Sequence, residues 1–220
     1  MIEDYLRQIQ NDGLVIKTVY DIGAFIGQWT MPLKNSCLQN SEFYLFEGNA
    51  EYASALFSTG CSFYTGILSS PSKPFVDYYK KNSTGDSYYR ENSIHYDNQI
   101  PVQMPTRTLD SVVKEYNLPV PNLLKIDTQG SELDILDGAT DLLPNVDLVY
   151  LECPFVRYNL GAPNLQDYLD FMRNKGFVPT KILEIHYSEN VILQIDIMFI
   201  NYETKKRLYG ENLYSRPLEK

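Results

Sequence analysis

Val19-Tyr20-Asp21-Ile22-Gly23-Ala24-Phe25-Ile26-Gly27-Gln28-Trp29-Thr30 is a short apolar run that ends in an acid, two spaced glycines and a helix-like continuation. The pattern reads as the first strand, the nucleotide-binding turn and the first core helix of a doubly wound α/β domain. Gly23 and Gly27 let the backbone turn sharply and approach a ligand, with Ala24 and Phe25 on the turn between them. Asp21 at the strand end can accept hydrogen bonds from a ligand or from the turn's own amides. The spacing is G-x-x-x-G, not the G-x-G-x-x-G that cradles a pyrophosphate on a helix N-terminus. A cofactor without a pyrophosphate is therefore the better expectation, and S-adenosylmethionine (SAM) is the common one.

A second acid supports this. The next candidate strand, Glu42-Phe43-Tyr44-Leu45-Phe46, ends in Glu47. An acid about 20 residues after a glycine turn, at the tip of the adjacent strand, sits where a ribose diol is held, because a carboxylate accepts from both hydroxyls. The plainer reading of Glu47-Gly48-Asn49 is a solvated turn that caps the next helix. With Asp21 at the neighbouring tip, the ribose reading is preferred.

The 220 residues suffice for one α/β domain with a full core, so a single domain over 1–220 is expected. A formal net charge of −9 repels phosphate backbones, and the densest basic clusters, Lys80-Lys81 and Lys205-Lys206-Arg207, form no stripe. Nucleic acid is excluded as the expected substrate. Cys37, Cys61 and Cys153 are widely spaced and include no C-x-x-C pair, so they read as reduced core residues. Met1 to Gln10 lacks an apolar h-region, and no run approaches the ~18 apolar residues of a membrane span, so a soluble cytoplasmic protein with no membrane partner is expected.

Along the chain, Ile2, Leu6 and Ile9 predict an opening helix within residues 1–13, before a first strand from Leu14 to Asp21. A helix should run from Gly27 to about Asn35, although Pro32 lies within it and is comfortable only near the first turn, so the helix either starts later than Gly27 or bends. Ala50 to Phe57 reads as helix and Ser62 to Leu68 as one third strand, closing in the turn Ser69-Ser70-Pro71-Ser72 beside the adenine. Residues 73–106 read as an insert: a strand at Pro74 to Tyr79, a polar tyrosine-rich stretch, and a strand at Ile100 to Pro105 that its two prolines demote to an edge. Thr108-Leu109-Asp110 opens a helix that stops before Pro119. Asn122 to Asp127 is a buried strand tipped by an acid, and Val146 to Leu151 another, tipped by Glu152. Leu165 to Asn174 is helical and ends at Gly176. Phe177 to Ile185 and Val191 to Ile200 then form a hairpin, which must be antiparallel because a parallel crossover needs many more residues. A mainly parallel seven-stranded sheet with a C-terminal antiparallel hairpin is the class I methyltransferase architecture.

Several of these stretches resemble the FkbM-type SAM-dependent methyltransferases. They are Asp21-Ile22-Gly23-Ala24-Phe25-Ile26-Gly27, Thr108-Leu109-Asp110, Leu124-Lys125-Ile126-Asp127-Thr128-Gln129-Gly130-Ser131-Glu132 with Leu136-Asp137-Gly138-Ala139, Leu151-Glu152, and Gln194 to Asn201. They cover roughly residues 17 to 201 in the family's order, and K-x-D-x-x-G-x-E is the most specific. The resemblance implies O-methyl transfer from SAM, typically to a hydroxyl on a sugar or a secondary metabolite. One departure is Phe25, where the family usually has Asn, a residue that tolerates left-handed backbone far better. Either the turn is reshaped, or Phe25 covers the adenosine or methionine portion.

Methyl transfer from a sulfonium is an in-line displacement, so a protein mainly positions the acceptor oxygen and removes its proton. Asp127 and Glu152 end neighbouring strands on the ligand edge. Asp127 is assigned to the cofactor end and Glu152 to the acceptor end. His95, in the polar insert near the mouth, is a further candidate for the base, while His186 reads as a surface histidine. Glu132 is either part of the motif's chemistry or a first-turn helix acid favoured by the dipole. Asp127, Glu152, Asp196 and His95 could ligate a metal, but no spacing demands one and none is assigned. Glu152-Cys153-Pro154-Phe155 resembles the proline-aromatic motif of amino methyltransferases, yet it lacks that motif's Asn or Asp and second proline and follows the wrong strand. Cofactor contacts are thus expected from Asp21, Gly23, Ala24, Phe25, Gly27, Glu47, Gly48, Asn49, Ser69 and Asp127. The acceptor is expected to be a sugar, glycan or related small molecule, gripped by tyrosines of the Lys73 to Gln99 insert acting as a lid. An NAD(P)-dependent oxidoreductase and a non-catalytic SAM-fold module are the alternatives. The missing third glycine and the C-terminal hairpin disfavour the oxidoreductase.

Overall fold

The computed structural model describes residues 2–81, 85–93 and 99–211. Helix α1 (Ile2–Asn11) leads into β1 (Thr18–Ile22), α2 (Thr30–Asn35), β2 (Glu42–Glu47), α3 (Ala53–Ser58), β3 (Ser62–Thr65) and β4 (Ile67–Leu68). The insert contributes β5 (Phe75–Tyr78) and β6 (Val102–Arg107). There follow α4 (Leu109–Tyr116), β7 (Leu123–Ile126), α5 (Glu132–Asp137), β8 (Leu148–Pro154), α6 (Leu165–Asn174), β9 (Phe177–Ser188), β10 (Val191–Asn201) and α7 (Tyr202–Tyr209).

Seven strands form the main sheet in the order β3-β2-β1-β7-β8-β10-β9. All pairs on the β3 side of β8 are parallel, while β10 runs antiparallel to both β8 and β9. This is the predicted architecture. Its hairpin is longer than expected and turns on Glu189 and Asn190, with Glu189 at φ 54°. The alternation of side chains along each strand sends the sheet's two faces to different helices. Tyr20, Ile22, Leu124, Ile126, Val149 and Leu151 pack with the buried faces of α4, α5 and α6. Val19, Phe43, Leu123, Leu148 and Met198 pack with α1 and α2.

The observed elements differ from the expectations at six places. Strand β1 starts four residues later than Leu14, because Leu14 and Ile16 are buried against α1 rather than in the ladder. Helix α2 starts at Thr30, which puts Pro32 in the first turn, where its missing N–H has no partner to lose. The stretch Ser62–Leu68 is two strands: Gly66, at φ 154°, gives its N–H to the Glu47 carbonyl at 2.9 Å and turns β4 into a second sheet. That sheet has the order β4-β6-β5, so β6 is its centre and not an edge. The prolines do not prevent this, because Pro101 precedes the strand and the two-residue β4 pairs only with Thr106 and Arg107, ending short of Pro105. Finally, Glu152 lies inside β8, opposite Asp196, not at its tip. Helix α7 was not expected; it is capped by Asn201 and tied to the sheet through Thr204 Oγ1, which donates to Asp147 at 2.6 Å.

The tips of β1 and β7 come together with no room to spare. A Cβ added to Gly23 (φ 74°) would stand 1.8 Å from the Asp127 carbonyl oxygen. Gly23→Ala is therefore expected to cost on the order of 3 kcal/mol of stability or to prevent folding. Thermal denaturation checks this, and an unchanged midpoint would contradict the close approach.

Candidate active site

The turn after β1 is held by its neighbour strand. The N–H groups of Gly23 and Ala24 both donate to the Phe46 carbonyl, at 2.9 and 3.1 Å. The next residue, Phe25, takes the left-handed conformation at φ 51° that an Asn would occupy at lower cost. Two contacts fix it there. Its N–H donates to Glu47 Oε2 at 2.7 Å, and its ring meets the edge of Tyr52 with centroids 4.5 Å apart. The turn is thus kept rather than reshaped, and the Phe25 ring becomes part of a cavity wall. Glu47 also accepts from the Asn49 N–H at 2.8 Å through Oε1. Its burial raises its carboxyl pKa, against the pull of those two N–H groups, and nearby Asp86 adds to the rise.

Behind the turn lies a buried ion cluster. Asp21, fully buried, accepts from Thr30 Oγ1 at 2.8 Å and lies 2.9 Å from the Lys125 ammonium. Lys125 Nζ also donates to the Gly23 carbonyl at 3.1 Å and lies 3.6 Å from Asp127. Burial favours the neutral amine, but Asp21 and Asp127 outweigh it and the Lys125 pKa is raised.

From Asp127 the acid groups continue across the sheet. Gln129, at φ 57°, donates from Nε2 to Asp127 Oδ1 at 3.2 Å and to Glu152 Oε2 at 3.0 Å, and so bridges the two carboxylates. Gln194 Nε2 donates to the other Glu152 oxygen. Burial, followed by the charges of Asp127, Glu132 and Asp196, pushes the Glu152 carboxyl well above the ordinary glutamate range. Glu132 has a different task. Fully buried, it accepts from the N–H of Thr128 at 2.7 Å, from the N–H of Gly130 and from the Tyr168 hydroxyl, and so fastens the loop between β7 and α5. It is neither a plain first-turn acid nor a group open to the cavity.

A cavity of about 190 Å³ opens between these tips. Gly23, Ala24, Phe25, Glu47, Gly48 and Asp127 line it, as do Asp86, Ser87 and Tyr88 from the insert. The insert is fastened there by Ser87 Oγ, which donates to the Gln129 carbonyl at 2.8 Å, and by Lys73, 2.6 Å from Asp134, an acid that also accepts from the Tyr88 and Tyr89 hydroxyls. A cleft of only about 10 Å³ beside Glu152 is formed by the loop after β8, with Tyr158 and Asn159. Backbone hydrogen bonds join that loop to the insert: Asn92 N–H to the Tyr158 carbonyl at 2.7 Å and Leu160 N–H to the Arg90 carbonyl at 2.8 Å.

The model of the methyltransferase FkbM domain matches residues 21–179. The chain belongs to the FkbM methyltransferase family. No curated protein matches it. Among solved structures, the magnesium protoporphyrin IX methyltransferase of Synechocystis PCC 6803 with bound SAM is 10% identical over 91% of this chain and 76% of that one, with a TM-score of 0.51. The same enzyme with bound SAH gives 0.50. The methyltransferase FkbM of Methylobacillus flagellatus KT aligns at 14% identity and a TM-score of 0.48, over 83% of this chain and 43% of that one. The cofactor of this FkbM domain is SAM.

Not all the expected cofactor residues reach the cavity of the FkbM domain. Asp21 lies beneath it, committed to Lys125 and Thr30. Gly27 faces Thr59 instead, 2.8 Å from where its Cβ would be. Asn49 is buried as a helix cap and donates to Asp86 at 2.8 Å, and Ser69 is buried beneath the Tyr88 hydroxyl, 3.0 Å away. His95 lies outside the described residues. Tyr88, expected on the acceptor side as part of the insert, lines the main cavity, while reading the sequence gave Lys125 and Gln129 no role of their own and missed Asp86 and Ser87. Of these, only Lys125 had a signal, as a cation alternating with acids in a buried strand.

Removing the Lys125 ammonium leaves Asp21 and Asp127 without their counter-charge. Lys125→Met is expected to destabilise the domain by about 3–5 kcal/mol, since breaking a buried ion pair strands its partner. The double variant with Asp21→Asn should recover part of that loss. Urea denaturation of both proteins measures it, and a double variant no more stable than the single one would contradict the pairing.

Proposed function

We propose that the domain is an O-methyltransferase that acts on a hydroxyl of a sugar, a glycan or a related small molecule. The observation that carries the reading is Glu152: a carboxylate of raised pKa, tied through Gln129 to the cavity-lining Asp127 and opening on its other side into the cleft of Tyr158 and Asn159. An alcohol must lose its proton as it is methylated, and a carboxylate whose pKa has moved toward neutrality is a better base than an ordinary one.

The cavity suits SAM in its donor set. Glu47 has spent one lone pair of each oxygen on a backbone N–H and keeps two to accept from a diol. Phe25, Tyr52, Ile67, Leu68 and Tyr78 offer the apolar surfaces an adenine needs, and Asp127 offers a carboxylate for an ammonium. When bound, SAM supplies an electrophilic methyl group on a sulfonium. Glu152 takes the acceptor's hydroxyl proton, so that the methyl carbon exchanges its bond to sulfur for one to the acceptor oxygen. Asp127 holds the cofactor end, and Gln129 keeps the two acids in register. The insert and the loop after β8 form one wall around the reacting oxygen. The tyrosine ring beside Glu152 is the kind of face on which the apolar side of a sugar ring stacks.

Glu152→Gln is expected to bind SAM normally while turnover on a glycan acceptor panel falls at least ~10²-fold. In the unmodified protein the rate should rise with pH as Glu152 loses its proton, on a limb above the usual glutamate value of 4.5. Near-normal turnover of the variant, or an ascending limb at ordinary carboxylate pH, would move the base elsewhere.

Glu47→Ala should lose on the order of 2–4 kcal/mol of SAM affinity, the worth of two charge-assisted hydrogen bonds. Calorimetry measures this. Equal affinity in the folded variant would remove Glu47 from the ribose.

A further inference from the structure

On the far side of Glu152 from the cavity, three side chains of different strands converge. In the antiparallel pairing of β10, Asp196 stands opposite Glu152 of β8, and Gln194 stands opposite His186 of β9. One ligating atom each from Glu152, His186 and Asp196 lies within 4.8 Å of the others. Asp196 is 5% exposed, and its two oxygens differ. Oδ2 accepts from the Tyr150 hydroxyl, which sets the carboxylate's orientation. Oδ1 has no hydrogen-bond partner and faces His186 Nε2, likewise without one, at 3.5 Å. A buried carboxylate oxygen left unbonded is costly, more so beside another acid. The two atoms form an ion pair when the imidazole is protonated; a neutral imidazole with its lone pair on Nε2 adds to that cost unless a cation lies between them.

We propose that Asp196, His186 and Glu152 form a binding site for one divalent transition-metal ion of the Zn²⁺ class. The spacing suits it. Two ligands held about 2.1 Å from a tetrahedral Zn²⁺ are themselves roughly 3.4 Å apart, close to the separation of Asp196 Oδ1 and His186 Nε2. Both oxygens of Glu152 accept a hydrogen bond from a glutamine, yet each keeps a second lone pair, and a turn about its own side-chain bonds brings one of them inward. One imidazole with two carboxylates is a borderline set that prefers Zn²⁺ to the all-oxygen ion Mg²⁺. His186 is 38% exposed in its side chain, so an ion can enter from solvent and keep a water on its open position. The site forms across three strands of a rigid sheet and needs neither the cofactor nor an acceptor.

Ion binding is therefore measured on the resting protein. The whole chain, stripped with a chelator and dialysed against Zn²⁺, should retain one ion by elemental analysis, and calorimetry should show Mg²⁺ binding at least ~10-fold more weakly. Zn²⁺ should raise the melting temperature. His186→Ala, at a half-exposed position that the core does not depend on, should weaken Zn²⁺ binding at least ~10-fold and remove the thermal shift. Asp196→Asn should do the same while keeping the shape that Tyr150 contacts. His95→Ala, which changes the chain's other histidine, should leave binding intact. The proposal is overturned by a chain that retains no stoichiometric ion, by His186→Ala binding Zn²⁺ as the unmodified chain does, or by loss of binding in His95→Ala alone. The ion and the acceptor's proton compete for the Glu152 carboxylate, so bound Zn²⁺ should also inhibit methyl transfer; because ion binding itself is read without SAM or acceptor, failure here leaves the methyl-transfer reading standing, and failure of that reading leaves the ion site standing.

Discussion

The ammonium of Lys125 is the interaction on which the ligand edge depends. It sits in the buried middle of the sheet, between the tips of β1 and β7, and joins Asp21, Asp127 and the Gly23 carbonyl. Without it, two acids would meet where strands lie about 4.8 Å apart, and one would have to take a proton or the tips would separate. With it, the turn after β1 is anchored from below while Phe46 anchors it from the side. The price in desolvation is large, and the paired charges and the peptide carbonyl offset it. This explains why Asp21 is absent from the cavity wall: its charge is used up in holding the wall in place.

A second acid does the same for the opposite lip. Glu132 gathers the loop N–H groups of Thr128 and Gly130, and α6 fixes it through Tyr168. Gln129, between those two anchors, is held at positive φ with its amide directed at Asp127 and Glu152. Two structural carboxylates, Asp21 and Glu132, thus position the two that face outward.

The fold was legible in the sequence because its signals are local. Apolar runs ending in Asp21, Glu47 and Asp127, helix stops before Pro119 and at Gly176, and the short polar turn before Val191 each report on a few adjacent residues. What was not legible depended on pairing. Whether Pro105 sits at an edge is decided by where β4 ends, and whether Glu152 is a tip is decided by Gln194 and Asp196 continuing the ladder beside it. The site divides in the same way. Glycines 23 and 48, Phe25, Glu47 and Asp127 were found from the tips they occupy. Gln129 was not, since its role comes from bridging strands whose acids lie 25 residues apart in sequence. His186 read as a surface residue because nothing in its own segment shows that Asp196 faces it.

The distribution of charge bears on the proposed chemistry. A sulfonium donor is a cation that becomes neutral on transfer, so carboxylates close to it stabilise the reactants more than the transition state and slow the step they surround. The arrangement limits this penalty. Asp127, the acid that lines the cavity, is 3.6 Å from the Lys125 ammonium, which offsets part of its field. Glu152 is raised in pKa by its burial and by Asp127, Glu132 and Asp196, and its charge is shared with two glutamine amides. In the proposed reaction, the acid that attracts the cofactor is thus the one with a counter-ion, and the acid that takes the proton is the one whose charge is least favoured until the proton is offered.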